Sequence, residues 1–312
     1  MVSKTLPELP IIDLTIVNVK PGSSSWISTC KRIREALEDY GCFVAIYDKV
    51  SFNLHNEVFS VIQKMFELPP EVKARNISNI PYHGYYKPGP IMPLLESFGI
   101  EDVTLHDKTQ SFTNLLWPHG NQPFCEAVHE YAKQVSELER MVTKMVFESY
   151  GVEKYLDSHL NSTTYLLRIA KYGAPQEEEG TIGGVAHTDK NFITILHQND
   201  VDGLEVQTKD GHWVPYEAFP HSFVVMAGEV FLAWSNNRVH APLHRVTMKG
   251  NKPRYSVALF SRSKDTIETP KELVDDEHPL LFKPFDYMRL LKFYTEDVTR
   301  MAFCTIRDYC GV

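Results

Sequence analysis

Seven residues in the second half of the chain carry its strongest signal: Gly183-Gly184-Val185-Ala186-His187-Thr188-Asp189. If this backbone is extended, positions 187 and 189 point to the same face. An imidazole and a carboxylate on one face supply two adjacent ligands for a divalent metal. A third ligand from a neighbouring strand would complete a two-histidine, one-carboxylate triad, which leaves three coordination positions open and suits oxygen activation at Fe(II).

The third ligand is predicted in His244-Arg245-Val246. His240 competes with it, because His240 and His244 have the i, i+4 spacing with which a helix can bind zinc. Pro242 lies between them and the surrounding pattern is that of strands, which disfavours a helix. We therefore predict His244 as the ligand and His240 as a loop residue near the site.

A basic and a hydroxyl side chain follow in Arg254-Tyr255-Ser256. Residues 249–253 form a turn signal between two apolar runs, which predicts an antiparallel hairpin that brings Arg254 and Ser256 close to His244. The two side chains share one face of their strand. A guanidinium binds a carboxylate bidentately and the hydroxyl adds one bond, so the pattern predicts a metal beside a small dicarboxylate.

With these motifs, the chain resembles the plant 2-oxoglutarate/Fe(II)-dependent dioxygenases over nearly its whole length. The matching segments are residues 10–14, 40–43, 68–73, 187–189, 203–207 and 244–246, and Arg254-x-Ser256. The resemblance implies that iron is bound by His187, Asp189 and His244.

The same resemblance implies a set of ligands for 2-oxoglutarate, namely Arg254, Ser256 and Tyr172. It also implies O2 as a reactant and ascorbate as a supporting reductant. The chain departs from the family pattern where Ala170 replaces an Asn and Gly173 replaces a Pro, and both changes weaken the expected contact of Tyr172. Gly228-Glu229 stands where the family often has Gly-Asp, in a turn, and predicts a structural consequence only.

The hydrophobic pattern divides the chain into a helical first half and a second half with period two. Helices are predicted after the cap candidates Ser23 to Ser25, after Ser51, and from Gln122 to Tyr150. Strands are predicted at 42–46, 164–171, 192–197, 204–207, 222–226, 231–234, 246–248 and 255–261. Many short strands at regular spacing indicate a sandwich or jelly roll.

The predicted fold class is α+β. The resemblance implies a double-stranded β-helix (jelly-roll) core, flanked by N-terminal helices and a C-terminal helix. We expect a single catalytic unit over 1–312, with a mainly helical portion at 1–160, the jelly-roll core with the metal site at 163–262 and the C-terminal helix at 284–307.

Composition disfavours several other classes of protein. A net charge of -8 argues against a nucleic-acid or anionic-membrane surface. Five scattered cysteines indicate neither a disulfide framework nor a zinc cluster. Without an apolar run of about 18 residues or a signal-peptide core, the expected protein is soluble and cytoplasmic. The family resemblance implies a monomer.

The candidate substrate contacts come from an aromatic-rich part of the first half, from the residue after the triplet, and from the C-terminal helix region. They are Tyr82, His83, Tyr85, Trp117, Lys190, Phe285 and Met288. Aromatic faces with a few polar tips suit an aromatic substrate, although the same residues also suit packing on the β core. Residues 81–85 and 93–100 resemble the AOP-like branch of the family, named for glucosinolate side-chain enzymes.

The expected reaction is oxidation of a plant specialised metabolite by hydrogen abstraction, ending in hydroxylation, desaturation or ring closure, for example in a lignan. An alternative is oxidative inactivation of a small acidic plant hormone, which requires a second cation such as Arg168 or Lys190. Two other classes share the triad: a zinc hydrolase, which has no need for Arg254-x-Ser256, and a non-catalytic binding module, which would usually lose a metal ligand.

Overall fold

The computed structural model describes residues 8–15, 21–80, 82–175, 181–297, 300 and 304–312. Its α-helices are α1 (Ser24–Asp39), α2 (Phe52–Phe66), α3 (Pro70–Lys73), α4 (His106–Leu116), α5 (Gln122–Ser149), α6 (Leu156–Ser162), α7 (Glu229–Trp234), α8 (Tyr287–Thr295) and α9 (Ile306–Cys310). Short 3-10 helices span Glu153–Tyr155 and Lys271–Leu273.

The strands form two sheets that enclose the inner side of the β core. They are β1 (Ile11–Asp13), β2 (Cys42–Ile46), β3 (Leu95–Glu101), β4 (Thr163–Tyr172), β5 (Thr181–His187), β6 (Ile193–Gln198), β7 (Leu204–Gln207), β8 (Trp213–Pro215), β9 (Ser222–Ala227), β10 (His244–Met248) and β11 (Arg254–Ser263). The large sheet has the order β1-β2-β9-β6-β11-β4-β3, and the small sheet has the order β5-β10-β7-β8. This two-sheet arrangement with flanking helices confirms the predicted jelly-roll core.

Alternation along the strands separates two apolar cores. Val257 and Leu259 of β11 face outward into a core that they share with α5 residues such as Val135 and Val142. Ala258 faces inward, in a second cluster with residues of the small sheet such as Val206. Because side chains alternate between the two faces, the inner face of β11 also carries residues 254, 256, 260 and 262. The helices cover the outer face and leave the inner face for the site.

The predicted hairpin between β10 and β11 is wrong. β10 pairs with β5 on one edge and β7 on the other, while β11 pairs with β4 and β6 in the other sheet. Since both edges of β10 are already hydrogen-bonded, β11 cannot pair with it. The turn at Gly250, with φ of 75°, carries the chain from one sheet to the other.

Two further boundaries differ from the prediction. Residues 231–234 were expected as a strand but belong to α7, which Gly228 caps and which ends at Trp234, shortly before Asn236 and Asn237, both with positive φ. The helix expected over 284–307 is not one piece. Asp286 caps α8, and a capping box between Thr305 and Asp308 starts α9 separately; residues 298, 299 and 301–303 lie outside the described residues.

The N-terminal helices are tied to the segment that leads into β10. The backbone N–H of His240 donates to the carbonyl of Leu37 in α1 at 3.0 Å. Gly41, directly after α1, has φ of 73°, and a β-carbon there would lie 2.4 Å from the His240 carbonyl oxygen and 2.6 Å from Cδ of Pro242. This close approach positions the chain just before His244. Within the described parts of the chain, no helix combines the length and apolar character needed to cross a membrane.

We predict that Gly41→Ala lowers the free energy of unfolding more than Gly151→Ala does. Both glycines have positive φ, 73° and 68°, where a β-carbon costs about 1–2 kcal/mol. Only at Gly41 does the added carbon collide with neighbouring backbone, whereas nothing lies within 4 Å at Gly151. Overpacking adds about 1–3 kcal/mol. Urea unfolding followed by circular dichroism measures the difference, and equal losses for the two variants would contradict it.

Candidate functional site

Three side chains meet at the mouth of the β core in the arrangement expected of metal ligands. One ligand atom from each of His187, Asp189 and His244 lies within 4.8 Å of the others. Oδ1 of Asp189 is 3.7 Å from Nε2 of both histidines. His187 and His244 are Cα partners across β5 and β10, and their ring centroids are 4.2 Å apart. Two sheet neighbours and one loop residue therefore aim at a single point.

The backbone sets the orientation of both imidazoles. Nδ1 of His187 lies 2.9 Å from the carbonyl oxygen of Val185, and Nδ1 of His244 lies 3.2 Å from that of Pro242. A carbonyl oxygen only accepts, so each Nδ1 carries the hydrogen and donates it. In a ring with its single hydrogen on Nδ1, Nε2 presents a lone pair toward the third ligand, which is the tautomer that a metal requires.

The carboxylate of Asp189 is fixed from its other side. Oδ2 accepts a hydrogen bond of 2.6 Å from Oγ1 of Thr194, which projects from the inner face of β6. Oδ1 is therefore free of that bond and faces the histidines. Asp189 is only 7% exposed, whereas the side chain of His187 is 53% exposed at the entrance. Two imidazoles and one carboxylate with open space on one side match the ligand set of Fe(II) oxygenases.

Glu229 joins the metal-site loop to the C-terminal part of the chain. Its carboxylate accepts hydrogen bonds from Thr188 at 2.5 Å, from Nζ of Lys190 at 2.6 Å and from the hydroxyl of Tyr294 in α8 at 2.6 Å. Its backbone N–H donates to the carbonyl of Asp189 at 2.8 Å. The structural consequence expected at this position is thus a network that holds both neighbours of Asp189.

Arg254 is a buried cation without a carboxylate partner. Its exposure is 0%, and within the described residues no carboxylate comes within the 4.0 Å of an ion pair. Nη2 donates to Oε1 of Gln198 at 2.7 Å, Nη1 lies 3.4 Å from Oγ of Ser256, and Nε is buried with no hydrogen-bond partner. A buried charge is costly unless it is paired, so this guanidinium suits the carboxylate of a bound ligand.

Tyr172 completes the surroundings of Arg254. The two residues are Cα partners across β4 and β11, and the guanidinium carbon lies 5.1 Å from the centre of the Tyr172 ring. Arg254, Ser256 and Tyr172 therefore share the inner face, although Ala170 and Gly173 replace the usual family residues around Tyr172. The arrangement fits a 2-oxoglutarate molecule whose far carboxylate reaches Arg254.

Some of the predicted substrate contacts lie on the side of the site where the aromatic segment meets β3. Tyr82, with φ of 65°, places its ring 5.2 Å from the guanidinium carbon of Arg168. His83 is buried, with Nδ1 3.3 Å from Nη1 of Arg262 and 3.1 Å from Oε1 of Glu101. These contacts place Tyr82 and His83 beside two arginines of the inner face.

Three other residues predicted as substrate contacts, Trp117, Tyr85 and Lys190, are instead engaged with neighbouring side chains of the protein. Trp117 packs against Phe124, 4.9 Å between ring centroids, at the helical core. The hydroxyl of Tyr85 donates to Glu96 at 2.5 Å, while its ring packs on Phe98. Lys190 is neutralised by Glu229, as described above.

The C-terminal region contributes a different residue from those predicted. Phe285 is buried next to Tyr309, and Met288 is 46% exposed. Tyr287 of α8 is buried; burial raises its pKa to about 12, and the charges of Arg262 and Asp189 act on it more weakly. Sequence reasoning missed Arg262. Arg262 and Arg254 are an even number of residues apart on β11, so side-chain alternation could have placed Arg262 on the same face.

Comparison with known proteins agrees with this geometry. Residues 163–263 match the 2OG-Fe(II) oxygenase superfamily, and residues 9–91 match the family described as non-haem dioxygenase in morphine synthesis N-terminal. The chain is 47% identical to a probable 2-oxoglutarate-dependent dioxygenase, AOP1.2, of Arabidopsis thaliana, over 97% of this chain and 96% of that protein.

Two solved structures are similar in fold and sequence. The dioxygenase for auxin oxidation of rice superposes with a TM-score of 0.83 at 32% identity, covering 98% of this chain and 100% of that one. Dioxygenase for auxin oxidation 1 of Arabidopsis thaliana, solved as a complex with 2-oxoglutarate, has a TM-score of 0.79 at 32% identity, covering 87% of this chain and 99% of that one.

The chain belongs to the 2-oxoglutarate/Fe(II)-dependent oxygenase family. It is a 2-oxoglutarate-dependent dioxygenase of AOP-like type that acts on plant metabolites, with Fe(II) and 2-oxoglutarate as the family's requirements. This assignment sets aside the zinc hydrolase and the non-catalytic binding module. The lignan ring closure expected from the sequence would make the chain a deoxypodophyllotoxin synthase, and these relatives do not confirm that identity.

We predict that His187→Ala, Asp189→Ala or His244→Ala weakens Fe(II) binding by more than about 100-fold, because each removes a ligand. Thr194→Val, which only loosens Asp189, is expected to cost about 10- to 100-fold. His240→Ala should leave the affinity unchanged. Anaerobic equilibrium dialysis with metal analysis measures all five variants. Loss of iron in His240→Ala together with retention in His244→Ala would contradict the ligand assignment.

Proposed function

We propose that His187, Asp189 and His244 bind Fe(II), and that Arg254, Ser256 and Tyr172 bind 2-oxoglutarate, for the oxidation of a small plant specialised metabolite. The observation that carries this proposal is the pairing of the triad with a buried guanidinium that has no carboxylate of its own. A hydrolase would have no use for such a guanidinium.

Each group of residues has a separate task in this reaction. When bound, Fe(II) and 2-oxoglutarate supply the oxidising chemistry: O2 and 2-oxoglutarate yield CO2 and succinate, and a C–H bond of the substrate is broken. One oxygen atom enters succinate, and the other ends in a hydroxyl group of the product or in water. The Gln198 and Tyr172 contacts hold Arg254 in place, and the Thr194 bond orients Asp189. Whether the product is an alcohol, an alkene or a closed ring depends on which carbon faces the metal.

The two kinds of substrate that the sequence favours differ in charge. A lignan is a largely neutral aromatic molecule, and its ring closure stays a prediction. A small acidic hormone requires a second cation near the metal. Lys190 does not meet this requirement, because its Nζ lies 2.6 Å from Oε1 of Glu229 and 4.4 Å from the centre of the Tyr294 ring.

We predict that Arg254→Met raises the KM for 2-oxoglutarate by about 10- to 100-fold or more, because it removes charge-assisted hydrogen bonds to a carboxylate. Fe(II) affinity should change little, since Arg254 is not a metal ligand. Lys252→Met, which removes an exposed charge from the preceding turn, is the matched control. Succinate release at increasing 2-oxoglutarate concentration measures KM. An unchanged KM in Arg254→Met would contradict the assignment.

The proposed function itself is tested with purified protein, Fe(II), 2-oxoglutarate and ascorbate. We expect succinate release to rise above the substrate-free rate with at least one compound from panels of lignans, alkaloids and auxin-like acids. His187→Ala should abolish that increase, because it removes an iron ligand. Retention of zinc through purification, with no substrate-coupled succinate from any panel, would overturn the proposal.

A further inference from the structure

Arg168 is a second cation of the inner face that no described carboxylate neutralises. It lies on β4 opposite Ala258, with the same parity as Tyr172. Nη2 donates to Oγ of Ser97 at 2.6 Å, and Nε is buried without a hydrogen-bond partner. Among the described residues, no ion pair of Arg168 falls within 4.0 Å, in contrast to Arg245, which pairs with Glu205 at 2.7 Å. Within the described ranges, the bond to Ser97 is the one hydrogen bond found for its five donors.

This cation is close to the metal site rather than on the outer surface. Burial lowers the pKa of the Arg168 guanidinium, and the nearby Tyr172, Tyr82 and Asp189 oppose that shift. The ring of Tyr82 covers the guanidinium at 5.2 Å, in a backbone conformation with φ of 65° that non-glycine residues rarely adopt. Such outliers persist where the surroundings hold them, often at ligand-binding positions.

Arg262 adds a second positive charge on the same inner face. It is 7% exposed, and its Nε is also buried without a partner. Its Nη1 contacts Nδ1 of His83 at 3.3 Å, and Glu101 approaches the same nitrogen at 3.1 Å, so Glu101 offsets part of this charge. Both arginines act on His83, whose pKa is lowered by burial, by Arg262 and, more weakly, by Arg168. Both guanidinium groups thus lie next to the segment that carries Tyr82 and His83.

The backbone of β3 packs closely against the segment that carries Tyr82 and His83. Gly99 of β3 is the Cα partner of Arg168, and a β-carbon at Gly99 would lie 2.3 Å from the carbonyl oxygen of His83. The absence of a side chain at Gly99 lets the segment carrying Tyr82 and His83 lie directly against the strand next to Arg168. The charges of Arg262 and Asp189 also act on the buried Tyr287 of α8.

We propose that Arg168 is a specificity-determining residue that binds an oxyanion of the substrate, a carboxylate or a sulfur oxyanion, with Arg262 as a flanking cation. The proposal rests on the proposed function, because the substrate it describes is the one oxidised at the triad. Arg254 already serves the far carboxylate of 2-oxoglutarate, and Lys190 is paired with Glu229. Arg168 is thus the cation best placed for a small organic acid with an apolar or aromatic body. A guanidinium binds either oxyanion through two hydrogen bonds.

The test measures binding to anaerobic protein loaded with Fe(II) and 2-oxoglutarate, so that nothing turns over. The probes are phenylacetate, indole-3-acetate and cyclopentylacetate, each with its methyl ester, together with phenylmethanesulfonate. Isothermal titration calorimetry should show at least one acid binding about 10- to 100-fold more tightly than its ester. Comparison of the carboxylates with the sulfonate identifies which oxyanion the pocket prefers.

Variants assign that preference to Arg168. Arg168→Met should reduce it to less than about 2-fold, and Arg168→Lys should retain part of it, because the charge remains but the two-pronged geometry is lost. Lys171→Met removes a charge from the opposite face of the same strand and should keep the full preference. If Arg168→Met does not fold, Arg262→Met provides a second test, with a smaller expected loss.

Three outcomes would overturn the proposal: acids and esters binding equally, no acid or sulfonate binding at all, or Arg168→Met retaining the full preference. Each is distinguishable from failure of the proposed function. If the proposed function is wrong, the protein will not bind Fe(II) and 2-oxoglutarate in the loading step, or it will bind acids but release no succinate when oxygen is admitted.

Discussion

The antiparallel pairing of β5 with β10 is the constraint on which the whole site depends. It sets His187 directly opposite His244, so that two residues far apart in sequence present their rings 4.2 Å from each other. Because strand side chains alternate, a slip of one residue would turn one imidazole to the opposite face. The second edge of β10 pairs with β7, where His244 is the partner of Val206, and this further restricts its register.

The charges of the inner face are arranged by strand alternation in the same way. On β11, Arg254 and Arg262 have the same parity, and β4 adds Arg168 between them. The buried Asp189 is the acidic counterpart among the triad, and Glu229 is occupied by Lys190, Thr188 and Tyr294. Among the described residues, the inner face thus has more positive groups than negative ones. That imbalance suits a site whose co-substrate and substrate both bring negative charge.

Local spacing was sufficient to predict that His187, Asp189 and His244 come together, but not the way the strands pair. His187-x-Asp189 and Arg254-x-Ser256 are short patterns in which residues two apart in an extended backbone share a face, and the family resemblance supplies their roles. The hairpin expected to join His244 to Arg254 was wrong because strand pairing is decided by distant partners, here β5 and β7 for β10. The two residues still belong to one site, since their sheets face each other across a shared apolar cluster. The sequence therefore predicted correctly that His244 and Arg254 lie in one site, but the hairpin that was expected to join them does not form.

The remaining differences have physical causes of the same kind. The apolar run at 231–234 is so short that its hydrophobic pattern does not distinguish a strand from a helical turn. In the structure α7 forms there, because Gly228 caps it and Phe231 and Trp234 pack on one side. The roles of Glu229 and Tyr287 depend on elements that meet only in the folded chain. Arg262 could have been predicted from the parity of β11, whereas its contact with His83 could not.

β11 extends from Arg254 to Ser263 and so crosses the inner face from the co-substrate end to the pocket around His83. At about 3.4 Å per residue, some 27 Å of backbone separates Arg254 from Arg262. Duplicated genes that share this strand can therefore diverge at one end while the other is preserved by selection. A change of substrate preference then requires no change in the residues proposed to bind the co-substrate, which is a route by which one oxidative core can give rise to many metabolic activities.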